Sequence, residues 1–589
     1  MEKLVHFYTD ENLKLEKELH KIKIKLTNLS VLRVLVFFFT LFGIYFSSGN
    51  PTIVTIITIV GVGIFSFLLS RYLKIKEKKK LVLCKISINK TEIRVLEGDF
   101  SFLPEGKEFL DSNHFFSHDI DLFGSHSFFQ YINRTSTEIG TAELAKIISQ
   151  NNILSIDKKQ EVIKELSKKV KWRQHFTALA SLVKTEYSSK VIVRYIQDYK
   201  AVFSKLVLPL PILFSIVSSL LIGLVSFQMI TYTLLLLWFI IGLVVTAIFF
   251  KRTEAIYANA GKSKTIFKQY HLLLQEIENG NFSSEILQEK QEIIQSENLK
   301  ASAIFMKFSK ILDAFDQRNN VLIFVLGNAF FLRDLRNAVK VETWIHTYNH
   351  TVKKWFEVIA FFDAGNSLAN FCFNHSDYTF PELVKENSII QAIQLGHPLL
   401  KSEKRIDNNF TVSDNQFFIV TGANMAGKST FLRTVSLSIV MANCGLPVCA
   451  ESFKYAPRRL ITSMRTTDSL SEDESYFYSE LKRLKFIVDT IEVKDYFIIL
   501  DEILKGTNSK DKAIGSKKFI EKLIKSKSTG IIATHDVSLC DLENEFSDIK
   551  NYYFDAEIIE SELHFDYTLK NGICKNMNAS FLLEKMKII

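Results

Sequence analysis

The chain is 589 residues long, too long for one compact domain, and its residues are 47% hydrophobic with a mean hydropathy of +0.11, high for a soluble protein. Its formal net charge of +9 suits an anionic partner such as nucleic acid or lipid headgroups without selecting one. Six cysteines (Cys84, Cys372, Cys444, Cys449, Cys540, Cys574) lack paired metal spacing and read as reduced, packed thiols.

Residues 1–30 are charged and helix-prone, too long and too acidic for the n-region of a signal peptide, so a retained cytoplasmic N-terminal helix is expected. No charge occurs between Arg33 and Arg71, and the stretch breaks once, at Ser47-Ser48-Gly49-Asn50-Pro51. This predicts a first transmembrane hairpin over residues 31–70. Residues 71–110 form a small linker with a β-like pattern over 81–105, followed by a first helical core or lever segment over 111–205. A second uncharged run, residues 206–250, is long enough for two more spans and so predicts a second transmembrane hairpin.

The second helical segment, 251–385, is interrupted at Gly280-Asn281 and includes the apolar run 321–332, too short to span and therefore expected as a buried helix. Basic residues flank the outer ends of both hairpins (Lys21, Lys23, Lys25 and Arg33; Arg71, Lys74 and Lys76; Lys200, Lys205, Lys251 and Arg252), while the tips are uncharged. The positive-inside rule then keeps all soluble segments cytoplasmic, at a bacterial-type inner membrane. From Pro381 and Gly396-His397-Pro398 onward the pattern alternates strand and helix, giving an α/β domain over 386–589.

Within that domain, Gly422-Ala423-Asn424-Met425-Ala426-Gly427-Lys428-Ser429-Thr430 fits G-x-x-x-x-G-K-[ST] between an apolar strand and a helix. Such a loop closes backbone N–H groups around phosphates, Lys428 reaches the β- and γ-phosphates of ATP, and Ser429 can ligate Mg²⁺. The strand 497–500 ends in Asp501-Glu502, where Asp501 would hold Mg²⁺ and Glu502 would orient or deprotonate the attacking water. His535, in Ala533-Thr534-His535-Asp536 after a further apolar stretch, is placed to sense the γ-phosphate or position that water. His114, His118, Asp119, Asp121 and His126 also group in sequence, but at a spacing that fits no usual zinc pattern.

In this order the motifs resemble the MutS family. TGANMAGKSTFLR at 421–433 looks like its P-loop, DEILKGTNSKD at 501–511 like its Walker B strand and following loop, and ATHD at 533–536 like its switch segment. Asp468-Ser469-Leu470 and Ser475-Tyr476-Phe477 resemble its signature segment. That likeness implies that Ser475 contacts ATP in the opposite subunit of a homodimer formed through the ATPase domain. Upstream, Asp119-Ile120-Asp121-Leu122-Phe123-Gly124 and Asn133-Arg134-Thr135 are similar to the start of the family's helical core, and Phe362-Asp363, Ser367-Leu368-Ala369 and Leu395-Gly396-His397-Pro398 to its later lever and the strands entering the ATPase.

The implied fold is an α/β P-loop ATPase of ABC type, like MutS domain V, preceded by a mostly α-helical core and lever interrupted by two transmembrane hairpins. The implied function is ATP hydrolysis coupled to engagement of duplex or branched DNA. No G-x-F-[YF]-E segment opens the chain, so specific mismatch reading is not expected, and Ala423, Ala426 and Leu504-Lys505 depart from the family's usual residues. Two other functions fit parts of the pattern: a membrane scaffold ATPase acting on a protein partner, and an ABC-type transporter, against which stand the missing L-S-G-G-Q signature and the charge-free spans. Lys262, Lys264, Lys268, Lys300, Lys307, Lys310, Arg318, Arg333, Arg336 and Lys340 could serve DNA backbone, anionic lipid or plain solvation.

Overall fold

A computed structural model describes residues 2–182, 188–295, 300–385, 388–465, 476–492, 495–505, 507–559 and 562–574. They fall into two compact units: Met1–Leu96, Thr135–Ala142 and Val170–Asp363 in one, and Glu97–Arg134, Glu143–Lys169 and Ala364–Ile589 in the other.

The first unit is helical. Helices Glu2–Phe46 and Pro51–Leu96 pair as one hairpin, turning where the sequence places Gly49-Asn50-Pro51, with Asn50 Oδ1 accepting from the N–H groups of Thr52 and Ile53. Leu19, Ile22, Leu26, Val82 and Ile86 form the seam between the arms beyond the apolar half. The expected β-like linker is therefore corrected: residues 71–96 continue the second helix. Their Ile and Val residues favour strands in isolation, but Val82, Ile86, Asn89 and Val95 recur at helical spacing and are buried.

Further along, Leu210–Ser226 and Tyr232–Gly261 form a second apolar pair, Trp238 stacking on Phe214 at 4.5 Å and donating from Nε1 to Ser218 Oγ at 2.7 Å. Among the described residues three helices, Glu2–Phe46, Pro51–Leu96 and Tyr232–Gly261, are long and apolar enough to cross a bilayer; Leu210–Ser226, at 17 residues, is shorter. The run expected as a buried helix forms Val321–Phe331, and here too the structure corrects the expectation. Asn328 and Ala329 are buried, but Val321 and Leu322 are 73% and 72% exposed. An eleven-residue uncharged run has no length signal by which to separate core from surface.

A carboxylate organises the other end of this unit. Asp363, fully buried, accepts from Ser136 N (3.1 Å), Thr137 N (2.8 Å) and Thr137 Oγ1 (2.7 Å), and so holds Thr137, whose Oγ1 caps helix Glu138–Ser149 by accepting from Gly140 N at 3.0 Å. The unit boundary falls at this residue, inside the long helix Arg333–Asn374.

The second unit holds two sheets. Strands β1 (Glu382–Leu383), β2 (Ser388–Leu395), β3 (Asn408–Ser413) and β5 (Ser452–Tyr455) make a four-stranded sheet in the order β1-β5-β2-β3. β4 (Phe417–Gly422), β6 (Arg459–Ser463), β7 (Tyr496–Asp501), β8 (Thr529–Ala533), β9 (Ile549–Phe554) and β12 (Leu569–Asn571) make a six-stranded sheet ordered β12-β9-β4-β8-β7-β6. All its pairs are parallel except the edge strand β12, and β10 (Glu557–Ile559) with β11 (Glu562–His564) forms a separate hairpin. The central strands are continuous apolar runs with both faces buried, as parallel sheets require. Ligands bind such sheets at the strands' C-terminal ends.

Candidate nucleotide site

β4 is fully buried between β8 and β9, and the chain leaves its C-terminal end in the loop that feeds helix Lys428–Asn443. Two glycines are dictated by geometry. Gly422 has φ 151° and a Cβ there would lie 2.7 Å from the carbonyl oxygen of Phe554; Gly427, the residue before the helix, has φ 102°. The first-turn N–H groups of the helix therefore open toward the loop, where a phosphate is favoured.

Register brings the other motifs to the same edge. Asp501 ends β7 opposite Ala533 of β8, and Ser429 Oγ donates to Asp501 Oδ2 at 2.6 Å. Burial raises the Asp501 carboxyl above its ordinary range, opposed mainly by the Ser429 hydrogen bond. A hydroxyl and a carboxylate side by side are the hard oxygen donors that Mg²⁺ prefers, so both residues fit the ion. Lys428 is 6% exposed, and its Nζ donates to Gly422 O (2.8 Å) and Ala423 O (3.0 Å). Burial depresses its pKa, while Glu502 and Asp501 push it back up.

Glu502 occupies a left-handed backbone conformation, φ 52°, unusual for a residue with a side chain, fixed by its N–H donating to Ala533 O at 2.9 Å. One carboxylate oxygen lies 2.8 Å from His535 Nε2 and the other 3.7 Å from Lys505 Nζ. The His535 hydrogen bond, the largest influence, holds Glu502 down to about 2. Such a carboxylate is a weak proton acceptor and a strong acceptor of hydrogen bonds; the arrangement suits orienting a water better than deprotonating it.

A cavity of about 590 Å³ is lined by Lys428, Ser429, Glu502 and His535. Its floor is Ala423 to Thr430, with Glu502 and His535 beside it, and its far walls are His397, Arg405, Asn408, Phe431 and Tyr567. The volume is within the ordinary range for small-ligand pockets. Ser475 lies outside the described residues, as does Asp468-Ser469-Leu470. The structure thus gathers Lys428, Ser429, Glu502 and His535 with loop residues 423–430 around one cavity, and Asp501 joins them through its hydrogen bond from Ser429.

Sequence reasoning missed the far walls. His397 was visible only as part of Gly396-His397-Pro398; burial, aided by Arg433 and Arg405, pushes it down to about 4, so it faces the cavity as a neutral ring. Tyr567 gave no signal; it arrives from beyond the β10–β11 hairpin, and Asn408 fastens it by donating to Tyr567 O at 3.1 Å. The upstream carboxylates brace the same unit. Asp119 accepts from Thr462 Oγ1 and from Arg465 N at 2.9 Å, and Asp121 pairs with Arg465 (2.8 Å) and Arg433 (3.3 Å). His114 Nδ1 accepts from the Phe116 and Ser117 N–H groups. Among the described residues no group of three or more His, Cys, Asp or Glu is arranged to hold a metal.

Residues 418–585 match the family model described as MutS domain V. This C-terminal stretch is similar to MutS domain V. The chain is 30% identical over 251 residues to MutS protein homolog 4 of Homo sapiens, covering 41% of this chain and 26% of that protein. It is 28% identical over 304 residues to the DNA mismatch repair protein MutS of Finegoldia magna (50% and 34%), and 31% identical over 244 residues to that of Clostridium tetani (39% and 27%). The chain therefore spans only about a quarter to a third of the length of these relatives. The likeness to MutS proteins covers the stretch that supplies the phosphate loop, Glu502, His535 and Tyr567 to the cavity, while His397, Arg405 and Asn408 reach it from residues before that stretch.

Proposed function

We propose that this chain is a membrane-anchored, MutS-like ATPase that hydrolyses ATP with Mg²⁺, works as a homodimer through its domain V, and engages duplex or branched DNA without reading a mispaired base. The observation that carries it is the convergence of Lys428, Ser429, Glu502 and His535 on one cavity, with Asp501 hydrogen-bonded to Ser429, in a stretch similar to MutS domain V. In that reading Lys428 leaves the carbonyls it holds and neutralises phosphate charge. Ser429 and Asp501 hold Mg²⁺, which supplies charge compensation across the phosphates. Glu502, oriented by His535, aligns the attacking water. Ser475 completes the partner's site.

Membrane anchoring is supported by the three long apolar helices and by large apolar side chains left bare on them, Phe39 at 74%, Phe46 at 81% and Ile59 at 67% exposure. The same feature sustains a second reading, a membrane scaffold that uses the ATPase dimer on a protein partner. The test is titration of the detergent-solubilised chain with homoduplex, single-mismatch and branched DNA at two salt concentrations, with and without MgATP. Salt-sensitive binding with little preference for the mismatch is expected. A large mismatch preference would overturn the DNA reading, and no binding to any DNA would replace it with the scaffold.

A further inference from the structure

The long list of basic residues in the second helical segment is sorted by the structure. Lys264 is paired with Asp313 and Asp316, and Arg318 with Glu254 (2.8 Å) and Asp334 (3.1 Å). These internal pairs use the nearby acids and tie three chain segments together at the foot of helix Tyr232–Gly261, where Arg318 also lies 4.8 Å over the Tyr257 ring. Lys268, Lys307, Lys310, Arg336 and Lys340 are all exposed. Lys340, lowered first by burial of part of its side chain, is lowered further by Arg336 and Lys307, and His271, also lowered first by burial, is lowered by Lys268 and Lys310.

Position is the second observation. Helix Lys264–Glu278 starts three residues after the apolar helix Tyr232–Gly261 ends, helix Ala301–Asp316 ends just before the apolar Val321–Phe331, and Arg333–Asn374 starts just after it. At 1.5 Å per residue along their own helices, Arg336 and Lys340 lie about 5 and 11 Å from Arg333, Lys310 and Lys307 about 9 and 14 Å from Asp316, and Lys268 about 6 Å from Lys264, the helix ends nearest in sequence to the apolar segments. Steps of this size are comparable with a headgroup layer plus one screening length. Val321–Phe331 belongs to the same apolar body: a Cβ on Gly242 would run into the Ala329 backbone, Phe239 packs on Phe330 at 5.5 Å, and Ser215 Oγ donates to Phe331 O at 3.3 Å, while Val321, Leu322 and Leu326 stay bare.

We propose that Lys268, Lys307, Lys310, Arg336 and Lys340 form a collar that binds anionic phospholipid headgroups, with helix Val321–Phe331 set into the adjoining leaflet above it. The inference rests on the membrane-anchored reading and assigns these cations to lipid rather than to DNA. Cations on the helices that continue from an apolar cluster are positioned to meet headgroup phosphates, a site built by continuity with the apolar surface.

The test is native mass spectrometry of the full detergent-solubilised chain equilibrated with phosphatidylglycerol or phosphatidylcholine, comparing wild type with a variant carrying Gln at all five positions. Wild type should retain phosphatidylglycerol preferentially, and the variant should lose that retention at least tenfold while keeping ATP turnover and duplex binding. Arg at the four lysine positions should restore it, separating charge from folding. Unchanged phosphatidylglycerol retention would overturn the proposal, as would loss of duplex binding with lipid retention intact, which would assign the collar to DNA. Carbonate extraction of wild-type membranes serves as the control on the underlying reading: release of the protein would remove the membrane anchor itself, whereas a retained but lipid-indifferent protein would remove only the collar.

Discussion

His535 Nε2 and Glu502 Oε1 stand 2.8 Å apart at the ends of neighbouring strands, so the imidazole that follows β8 fixes the carboxylate that follows β7. Glu502 is ionised far below neutral pH because of this contact. Removing either partner therefore changes a different property of the site.

Glu502→Gln keeps the shape and loses the charge that aligns water. It should bind MgATP about as tightly as wild type while turnover falls by about 10²- to 10³-fold. Lys428→Ala should instead weaken nucleotide binding. Equilibrium binding of a fluorescent ATP analogue alongside phosphate release separates the two; equal turnover in wild type and Glu502→Gln would remove the assignment.

His535→Ala should shift the pH profile. A carboxylate depressed to about 2 contributes fully above its ordinary pKa of 4.5 and is lost only as pH falls through the lower value, so wild-type turnover should show no acid limb from Glu502 above pH 4.5. Without the imidazole the largest lowering influence is gone and burial becomes the largest one left, so the carboxylate moves up. Single-turnover hydrolysis from pH 5 to 8 should fall more steeply toward acid in the variant, and parallel profiles would contradict the role given to the contact.

Asp363 behaves in the opposite sense. Burial outweighs its three donors and pushes it up to about 6 from an ordinary 3.8, so the folded state holds the proton more tightly and wild-type stability should decline as pH rises from about 4 to 6. Asp363→Asn should remove that slope, seen as a melting temperature less dependent on pH across the same window. Gly140→Ala should destabilise by about 1–3 kcal/mol at any pH, since the added Cβ meets the Asp363 carboxylate. Thermal unfolding of the three proteins at pH 4.5 and 7 checks both statements.

Cysteines placed at Gly49 and Gln228, in the turns between apolar helices, should react with a membrane-impermeant maleimide added to the outside of intact cells. Labelling only after permeabilisation would reverse the orientation.

The P-loop and the Asp501-Glu502 strand were legible because each fuses a strict residue spacing to a required element: glycines at positive φ after a buried strand, and acids at a strand's end. The walls of the cavity were not, since His397 and Tyr567 reach it from loops separated by some 170 residues and nothing local marks their meeting. Residues 81–96 misled for a different reason. Ile and Val there score as strand formers, and only pairing with the first arm through Val82 and Ile86 makes the helical spacing count.

The hairpin arms have one more consequence. At 45 and 46 residues each would run about 68 Å, more than twice a hydrocarbon core of about 30 Å. If the apolar half spans a bilayer, as proposed above, more than half of the hairpin stands clear of it as a rigid strut, clamped by Leu19, Ile22, Leu26, Val82 and Ile86 and by the Lys78–Glu18 ion pair. A strut of paired helices changes length only in whole turns. Seven residues deleted from both arms would keep the clamped faces together and shorten it by about 10 Å, whereas four deleted from one arm alone would slide the seam out of step.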